Sequence, residues 1–221
     1  MRVVVTGASG ALGRAVIETL AKRGDSVAAI SRKPNRDFPS SVVQVASGDL
    51  AESKSALAAV SEAAAALGGI DALIHLVGTF VWMPVEQSSH NDWQRLYREN
   101  VESALSVIQA CLPVIQNGGS IICVGAASAE PASKGMAPYA AAKSGVARLV
   151  EALSKELKAR KVRVNAVLPS IIDTPRNRDD MPDTDPSDWT SPEAVADVIA
   201  FLISDQARAI NGALVPVTNN A

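Results

Sequence analysis

The chain has 221 residues, of which 48% are hydrophobic, 20% charged and only 4% aromatic. This composition predicts one large or two small α/β domains with a core of Ala, Val, Ile and Leu. The formal net charge of −2 disfavours a nucleic-acid-binding protein, and the apolar runs are too short to span a membrane.

The start of the chain and its two cysteines predict the cellular location. Met1 and Arg2 directly precede the first strand, which leaves no room for a signal peptide. Cys111 and Cys123 lack C-x-x-C spacing, so we interpret them as buried thiols in a reducing compartment and expect neither a disulfide nor a metal site. We therefore expect a cytoplasmic protein, and because no linker or repeat is visible we expect residues 1–221 to form one domain.

The first strand, Val3–Thr6, runs into a glycine turn that reads T-G-A-S-G-A-L-G over Thr6–Gly13, and a helix follows to Lys22. Strand, glycine turn and helix together are the context of a dinucleotide site. Glycines let the backbone approach a pyrophosphate, and the helix N-terminus offers free N–H groups. The alternative is a tight turn without a ligand.

The second strand, Ser26–Ile30, is followed by Ser31, Arg32 and Lys33. NAD-preferring folds carry an acidic residue near this point, which binds the ribose 2′-hydroxyl. A basic stretch here favours a 2′-phosphate and therefore NADP(H), with NAD(H) as the alternative; it also suits a solvated loop. The link Pro34–Ser41 to the next strand, Val42–Ala46, is too short for a full crossover helix.

Candidate ligand contacts follow the third and fourth strands. Asp49, in Gly48-Asp49-Leu50, suits either an acceptor for the adenine amino group or a cap for the turn before the helix Ser53–Leu67. Gly78 ends the fourth strand, Asp71–Val77, at the edge where ligands bind in open parallel sheets. His75, inside this strand, is interpreted as a core histidine.

The next loop and helix carry the substrate candidates. Phe80 and Trp82 lie in the loop Thr79–Ser89 and suit either a planar substrate or an interface. A long helix is predicted over Asn91–Ile115, ended by Gly118-Gly119. Asn100 falls on its apolar face, where a buried amide needs hydrogen-bond partners and would hold a kink or an ordered water.

Tyr139 and Lys143 lie four residues apart in the helix that follows the strand Ser120–Val124 and the loop Gly125–Ala137, and that runs to about Arg160. This spacing places both side chains on one helix face. A protonated Lys lowers the pKa of a nearby phenol, which would make Tyr139 a general acid or base.

The rest of the chain alternates once more between strand and helix. A strand over Val162–Val167 is followed by the long, polar, proline-containing stretch Ser170–Trp189, a length typical of a lid or binding loop. Ser191-Pro192-Glu193 predicts the start of a helix to Ile203. A final strand is predicted over Ala213–Val217.

These motifs together resemble the short-chain dehydrogenase/reductase family over essentially the whole chain. The resemblance implies a Rossmann-like, doubly wound parallel α/β sheet of about seven strands in the order 3-2-1-4-5-6-7, in which the helix between strands 2 and 3 is missing or reduced. The motifs are the glycine turn Thr6–Gly13, Gly48-Asp49-Leu50, Asn100-Val101, Tyr139-A-A-A-Lys143, Val164-Asn165-A-V-L-Pro169 and Thr174-Pro175.

The resemblance also implies roles for individual residues. Tyr139 would donate the proton, Lys143 would bind the nicotinamide ribose and lower the Tyr139 pKa, and Asn100 would hold a water in a proton relay. The implied cofactor contacts come from the glycine turn, the segments that follow the second and third strands, the end of the fourth strand, the Tyr–Lys pair and the segment after the sixth strand. They are Gly7, Ser9, Gly10, Ala11, Leu12, Gly13, Ser31, Arg32, Asp49, Leu50, Val77, Gly78, Tyr139, Lys143, Pro169, Ile171 and Thr174.

One departure from the family pattern affects the predicted chemistry. Ala126 occupies the position of the family's catalytic Ser, and Ser128 lies close by but out of register. Either Ser128 substitutes, or the substrate accepts hydride without this donor. Quinonoid dihydropteridine reductases, which the stretches Gly125–Lys143 and Ala166–Thr190 resemble, also lack this Ser.

The sequence therefore predicts an NAD(P)H-dependent oxidoreductase that transfers hydride to a small carbonyl, quinone or similar acceptor. The alternatives are a dihydropteridine reductase-like enzyme and, less favoured, a non-catalytic NADP(H)-binding sensor or scaffold. The apolar helices at Asn91–Ile115 and Tyr139–Arg160 suggest a partner surface, and the family resemblance implies a homodimer or homotetramer.

Overall fold

A computed structural model describes residues 1–219 of the chain. Seven strands form a single sheet in which every neighbouring pair is parallel, in the order β3-β2-β1-β4-β5-β6-β7. The predicted strand order is confirmed. The strands are β1 (Arg2–Thr6), β2 (Ser26–Ser31), β3 (Val43–Ala46), β4 (Ile70–His75), β5 (Ile115–Val124), β6 (Arg163–Pro169) and β7 (Leu214–Val217).

Helices cover both faces of this sheet, as a buried parallel sheet requires. Their bounds are α1 (Ala11–Lys22), α2 (Ser53–Leu67), α3 (His90–Tyr97), α4 (Ser103–Cys111), α5 (Ala137–Glu156), α6 (Pro175–Asp180) and α7 (Pro192–Ile203). Helices α2, α4 and α5 pack in one core cluster, and α1 and α7 pack in the other.

The strand side chains alternate between these two cores. Val4 belongs to the core under α2, whereas Val3 and Val5 belong to the core under α1, and all three are fully buried. Every strand except the edge strand β3 thus contributes apolar side chains to both faces, which explains the strands' Val-, Ala- and Ile-rich composition.

The connection between β2 and β3 is as short as predicted. Residues 32–42, all of which the structure describes, contain turns and bends but no helix. Phe38 and Val42 instead cover part of the α1 side of the sheet. This edge of the sheet is therefore thin, and the end of β2 stays open to the cleft.

The glycine turn after β1 needs two of its glycines for steric reasons. Gly7 has φ +71°, and a Cβ there would lie 3.0 Å from the backbone of Leu76 and Val77. A Cβ on Gly13 would lie 2.5 Å from the carbonyl oxygens of Gly7 and Ala8. The turn can pack against β4 and against the first turn of α1 only because both positions lack a side chain.

The prediction of one helix over Asn91–Ile115 is wrong. The helical segment starts at His90, passes through a π-helical turn at Arg98–Glu102, and ends at Cys111. Pro113 cannot donate to the preceding turn, which stops the helix there. Gly118 and Gly119, predicted to end this helix, lie inside β5, where the pairing with β4 shifts register.

Three other predicted boundaries also move. The fourth strand ends at His75 rather than Val77, so that residues 76–79 turn along the cleft. The sixth strand continues to Pro169, and α5 ends at Glu156, with a separate 3-10 turn at Lys158–Arg160.

The stretch Ser170–Trp189, predicted as a lid or binding loop, is folded. It contains α6 and a 3-10 turn at Pro186–Asp188. Its base is closed where the backbone of Ile172 pairs with Thr190 and the Ser170 and Thr190 hydroxyls lie 2.7 Å apart. Within residues 1–219, none of the helices combines the length and apolar character needed to cross a bilayer.

Candidate active site

A cavity of about 550 Å³ opens at the carboxyl ends of β1 to β4. This is the edge at which ligands bind in open parallel sheets. The lining residues come from the glycine turn, the ends of β2 and β3, the segment after β4, the π-helical turn and α6: Gly7, Ser9, Gly10, Ile30, Ser31, Arg32, Ser47, Gly48, Asp49, Leu50, Leu76, Val77, Gly78, Thr79, Arg98, Glu99, Ser103 and Arg176.

The glycine turn forms one wall of the cavity and fits a phosphate-bearing ligand. Gly10 is the N-cap of α1 and has no side chain to accept from the first N–H groups of that helix. These donors, with the positive end of the helix dipole, are suited to an anion. Of the predicted contacts, Gly7, Ser9 and Gly10 line the cavity, whereas Ala11, Leu12 and Gly13 form the first turn of α1.

Ser31 and Arg32 line the cavity at the end of β2, and their contact with a cofactor stays a prediction. The Ser31 hydroxyl donates to the Lys33 carbonyl at 2.6 Å, which folds the basic stretch back on itself. Arg32 is exposed and faces the cavity rim, and its charge contributes to lowering the pKa of Asp49. A guanidinium at this rim is placed to meet a phosphate.

Asp49 acts as a turn cap in this structure. Its carboxylate accepts from the Ala51 N–H at 2.9 Å and pairs with Arg98, which also binds Glu52. The hydrogen bond from Arg98, followed by that from Ala51, holds the Asp49 pKa below its usual value. Of the two roles predicted for Asp49, the cap is confirmed, and the adenine contact stays a prediction.

Asn100 is buried in the π-helical turn, and its amide is fully engaged. Its Nδ2 donates to the carbonyls of Leu96, at 2.9 Å, and Thr79, at 3.1 Å, while its Oδ1 accepts from the Thr79 N–H at 3.2 Å. The helix is irregular at Asn100, where it forms the π-helical turn, and the role of Asn100 in holding a kink or an ordered water stays a prediction. The same side chain also ties the irregular helix to the segment that leaves β4.

Lys143 is buried beside this amide. Its Nζ donates to the Val124 carbonyl at 3.0 Å. A Cβ on Gly78 would lie 3.0 Å from Nζ and 2.6 Å from the Asn100 Oδ1. Gly78, Asn100 and Lys143 therefore converge at one point, and a side chain at Gly78 would displace the Asn100 amide or the Lys143 ammonium.

Tyr139 lies next to Lys143, but its pKa is not lowered. Burial of the phenol raises the pKa of Tyr139 to about 12. The Lys143 Nζ lies over the ring, 5.8 Å from its centroid, and burial lowers the pKa of Lys143 to about 8. The expectation that Lys143 lowers the Tyr139 pKa is wrong here because desolvation outweighs the charge of an ammonium at that distance.

The position next to Tyr139 where a second donor was expected is apolar. Ala126 is buried in a small cluster with Ala129 and Ala140, against which the Tyr139 ring packs. Ser128 is half-buried in the turn just before Ala129. Whether Ser128 reaches a substrate stays a prediction, and the Ala126 methyl cannot donate a hydrogen bond.

Aromatic side chains approach Tyr139 from the loop after β4. The Phe80 ring meets the Tyr139 ring edge to face, with centroids 5.0 Å apart and planes at 88°. Trp82 is 53% exposed and donates its indole N–H to the Lys134 carbonyl at 3.1 Å. Phe80 thus belongs to the wall around the phenol, and Trp82 lies across the loop that precedes α5.

His75 has the structural role predicted for it. Its Nδ1 lies 2.9 Å from the Thr6 hydroxyl and its Nε2 lies 3.3 Å from the Ser103 hydroxyl. Burial, with a smaller contribution from the Lys143 charge, lowers the His75 pKa to about 3, so the ring is neutral. Cys111 and Cys123 are also buried, and burial raises the pKa of each thiol to about 12.

Three residues predicted to contact the cofactor, Pro169, Ile171 and Thr174, lie at the base of the stretch 170–189. Pro169 accepts from the Ala127 N–H at 3.0 Å, Ile171 accepts from the Thr190 N–H at 2.9 Å, and Thr174 caps α6. The loop residue that lines the cavity is Arg176.

Sequence reasoning missed two cationic residues of the cavity, Arg98 and Arg176. Arg98 lies two residues before Asn100, and Arg176 directly follows Thr174-Pro175, so both adjoin motifs that were recognised. Their proximity to those motifs could have indicated that they lie near the cavity. An arginine in a polar stretch is not distinctive by itself.

Comparison with known proteins agrees with this geometry. The family model described as enoyl-(acyl carrier protein) reductase matches residues 7–219. The chain belongs to the short-chain dehydrogenase/reductase family. It is 29% identical over 235 residues to a 3-oxoacyl-(acyl-carrier-protein) reductase of Thermotoga maritima, covering 97% of this chain and 94% of that protein.

Two further relatives are named with their cofactors. The L-rhamnose 1-dehydrogenase (NAD(P)(+)) of a Sphingomonas strain is 29% identical over 238 residues, covering 96% of this chain and 92% of the relative. A crystal structure of the 3-ketoacyl-(acyl-carrier-protein) reductase from Brucella melitensis complexed with NADH superposes with a TM-score of 0.88 at 25% identity, covering 99% of this chain and 96% of the other.

These relationships confirm the predicted family, the Rossmann-like fold and the enzyme class. The protein is an NAD(P)-dependent short-chain dehydrogenase/reductase. The glycine turn, whose Gly7 approaches β4 too closely for a side chain, and the cavity beyond it suit the nicotinamide dinucleotide of this family.

The Lys143 pKa predicts how activity depends on pH. The ammonium is the protonated form, so it is present below about pH 8 and is lost as the pH rises through that value. If the ammonium is needed, kcat/KM for reduction, which reports the free enzyme, should fall as the pH passes about 8. The pH profile of kcat/KM checks this.

Two further results complete this test. A Lys143→Ala variant should be slower by about 10²- to 10⁴-fold and should lack that step in the profile. A wild-type profile that stays level far above pH 8, or a step that persists in the variant, would exclude Lys143 as its origin.

Proposed function

We propose that this enzyme uses NADPH to reduce a small carbonyl, quinone or similar acceptor, with Tyr139 as the proton donor. The observation that carries the proposal is that Asn100 and Lys143 meet at Gly78, which lines the cavity, and that the Tyr139 ring lies beside Lys143. A proton donor, a buried cation and an oriented amide thus lie together at the carboxyl ends of β4 and β5.

The chain's own residues would hold the two ends of the cofactor. The N–H groups of the glycine turn would bind the pyrophosphate, and Ser31 and Arg32 would bind the adenosine ribose and its 2′-phosphate. Lys143, beside Gly78, would bind the ribose at the nicotinamide end. Bound there, the cofactor supplies the hydride that reduces the acceptor.

Tyr139 is protonated at neutral pH, the state from which an acid donates, because burial raises its pKa to about 12. The same burial makes the phenolate left behind costly, and the Lys143 ammonium, 5.8 Å from the ring centroid, would offset only part of that cost. Asn100 would keep the backbone of Thr79 in place and so preserve the spacing between Gly78 and Lys143.

A second candidate, a dihydropteridine reductase-like activity, is favoured by the apolar surroundings of Tyr139. Ala126 offers no hydroxyl to polarise a carbonyl, and loss of such a donor commonly lowers kcat by about 10²- to 10³-fold. A planar, electron-poor quinonoid ring accepts hydride more readily, and Phe80 lies against Tyr139 where such a ring could stack. Both candidates use the same proton donor.

Turnover across carbonyl, quinone and quinonoid-dihydropterin acceptors, measured by NADPH oxidation, tests the function and the acid together. Tyr139→Phe should lower kcat/KM on a carbonyl acceptor by about 10²- to 10⁴-fold, because the ring stays but the proton is gone. Tyr97→Phe is a matched control, since Tyr97 is the chain's other tyrosine and is half exposed on α3.

The outcomes separate the candidates. Full carbonyl reduction by Tyr139→Phe would refute the assigned donor. Absence of quinonoid-dihydropterin turnover with either nicotinamide cofactor would remove the second candidate, and absence of turnover with every acceptor would favour a binding role.

The preference for NADPH is proposed from Arg32. It lines the cavity at the end of β2, next to Ser31, and no carboxylate takes its place there. Arg32→Ala should weaken NADPH binding by about 10- to 100-fold, the loss expected for a charge-assisted hydrogen bond, and should change NADH binding little.

Equilibrium titration of nicotinamide fluorescence with each cofactor measures this ratio. Lys33→Ala provides a control, since Lys33 neighbours Arg32 but is exposed and does not line the cavity. Equal losses for NADPH and NADH in Arg32→Ala, or none for either, would contradict the assignment.

We also propose that copies of the chain associate through the predicted helices Asn91–Ile115 and Tyr139–Arg160, which correspond to α3, α4 and α5. Trp93 on α3 and Leu105 on α4 are each 38% exposed. Light scattering should give the mass of a dimer or tetramer, and Leu105→Glu should lower it because a buried charge disrupts an apolar interface. Leu57→Glu, on the exposed side of α2, should leave the mass unchanged; a monomeric wild type would refute the proposal.

A further inference from the structure

Arg176 lines the cavity from the stretch after β6, whereas Arg32 lines it from the end of β2. Arg176 is the second residue of α6, within the folded stretch 170–189, and it lines the same cavity as Gly7, Ser9 and Gly10. No other residue of this stretch lines that cavity among the residues described. The cavity is therefore bordered both by backbone N–H donors and by a guanidinium.

The position of α6 is set by contacts that do not involve Arg176. Arg178 forms two hydrogen bonds with Asp173, at 2.6 and 2.7 Å, and the Asn177 amide donates to the Ile172 carbonyl at 2.7 Å. The Thr174 hydroxyl accepts from the Asn177 N–H at 3.1 Å. These bonds attach the helix to the loop base, so Arg176 can move without releasing the helix.

Arg176 itself is only weakly held. Its one ion pair among residues 1–219 is with Asp180, at 3.5 Å, and both side chains are well exposed. An exposed pair four residues apart on a helix contributes little stability. A phosphate, which accepts two parallel N–H bonds from a guanidinium, would be a better partner.

We propose that Arg176 is a phosphate-binding residue that contacts the pyrophosphate of the cofactor from the loop side. This inference rests on the proposed binding of a nicotinamide dinucleotide. The pyrophosphate is assigned rather than the 2′-phosphate because of the strand order. Arg32 follows β2, on one side of the glycine turn after β1, whereas Arg176 lies in the stretch after β6, on the other side. Arg176 and Arg32 therefore act on different phosphates.

The two assignments differ in how the variants discriminate between cofactors. Arg176→Gln should weaken NADPH and NADH by the same factor, about 10- to 100-fold, because both contain the pyrophosphate. Arg32→Ala should affect NADPH selectively. Equilibrium dissociation constants from calorimetry or nicotinamide fluorescence at low ionic strength measure both, and the salt dependence of binding should become shallower in Arg176→Gln.

Three further variants test whether contact, rather than helix stability, is responsible. Arg176→Lys should recover part of the affinity, since it keeps the charge but loses the bidentate geometry. Asp180→Asn should bind equally or up to about fivefold more tightly, because it releases Arg176 from a weak pair. Arg148→Gln removes an exposed guanidinium of α5 paired with Glu130 and Glu151, and it should bind like the wild type.

The results that would overturn the proposal are distinct from failure of the proposed function. Wild-type affinity for both cofactors in Arg176→Gln, a loss confined to NADPH, or an equal loss in Asp180→Asn would each exclude a pyrophosphate contact while leaving cofactor binding intact. A wild type that binds neither NADPH nor NADH would refute both.

Discussion

The close approach of Lys143 and Asn100 across Gly78 is the constraint on which the rest of the site depends. An ammonium and an amide oxygen would lie within 3.0 Å of any Cβ at that position. A side chain at this position would displace the Asn100 amide or the Lys143 ammonium. Glycine thus lets the chain leaving β4 pass between the π-helical turn and α5 with both groups in place.

The π-helical turn serves both ends of the cleft. Asn100, in its middle, is fully hydrogen-bonded within the protein and holds the segment after β4. Arg98, at its start, holds Asp49, which lines the cavity, and Glu52. Arg98 and Asn100 are two residues apart, so one short stretch reaches both places.

The arginines in and near the cleft differ in whether they are held by carboxylates. Arg98 is paired with two carboxylates and Arg178 with Asp173, and both contacts secure the structure. Arg32 and Arg176 also line the cavity. Arg32 is exposed, and Arg176 forms only an exposed ion pair with Asp180. Lys143 differs from both, because burial lowers its pKa to about 8 and makes its charge conditional on pH.

The sequence by itself indicated the family, because glycine spacing, apolar strands and the Tyr139–Lys143 interval are local patterns, and the strand order followed from the resemblance to that family. It did not determine the π-helical turn in the helix over 91–115 or the helix within 170–189. Those depend on partners distant in the chain, such as Thr79 for Asn100 and Thr190 for Ile172. The raised Tyr139 pKa and the cavity contacts of Arg98 and Arg176 were likewise decided only by tertiary structure, because burial and charge separation are properties of the packed molecule.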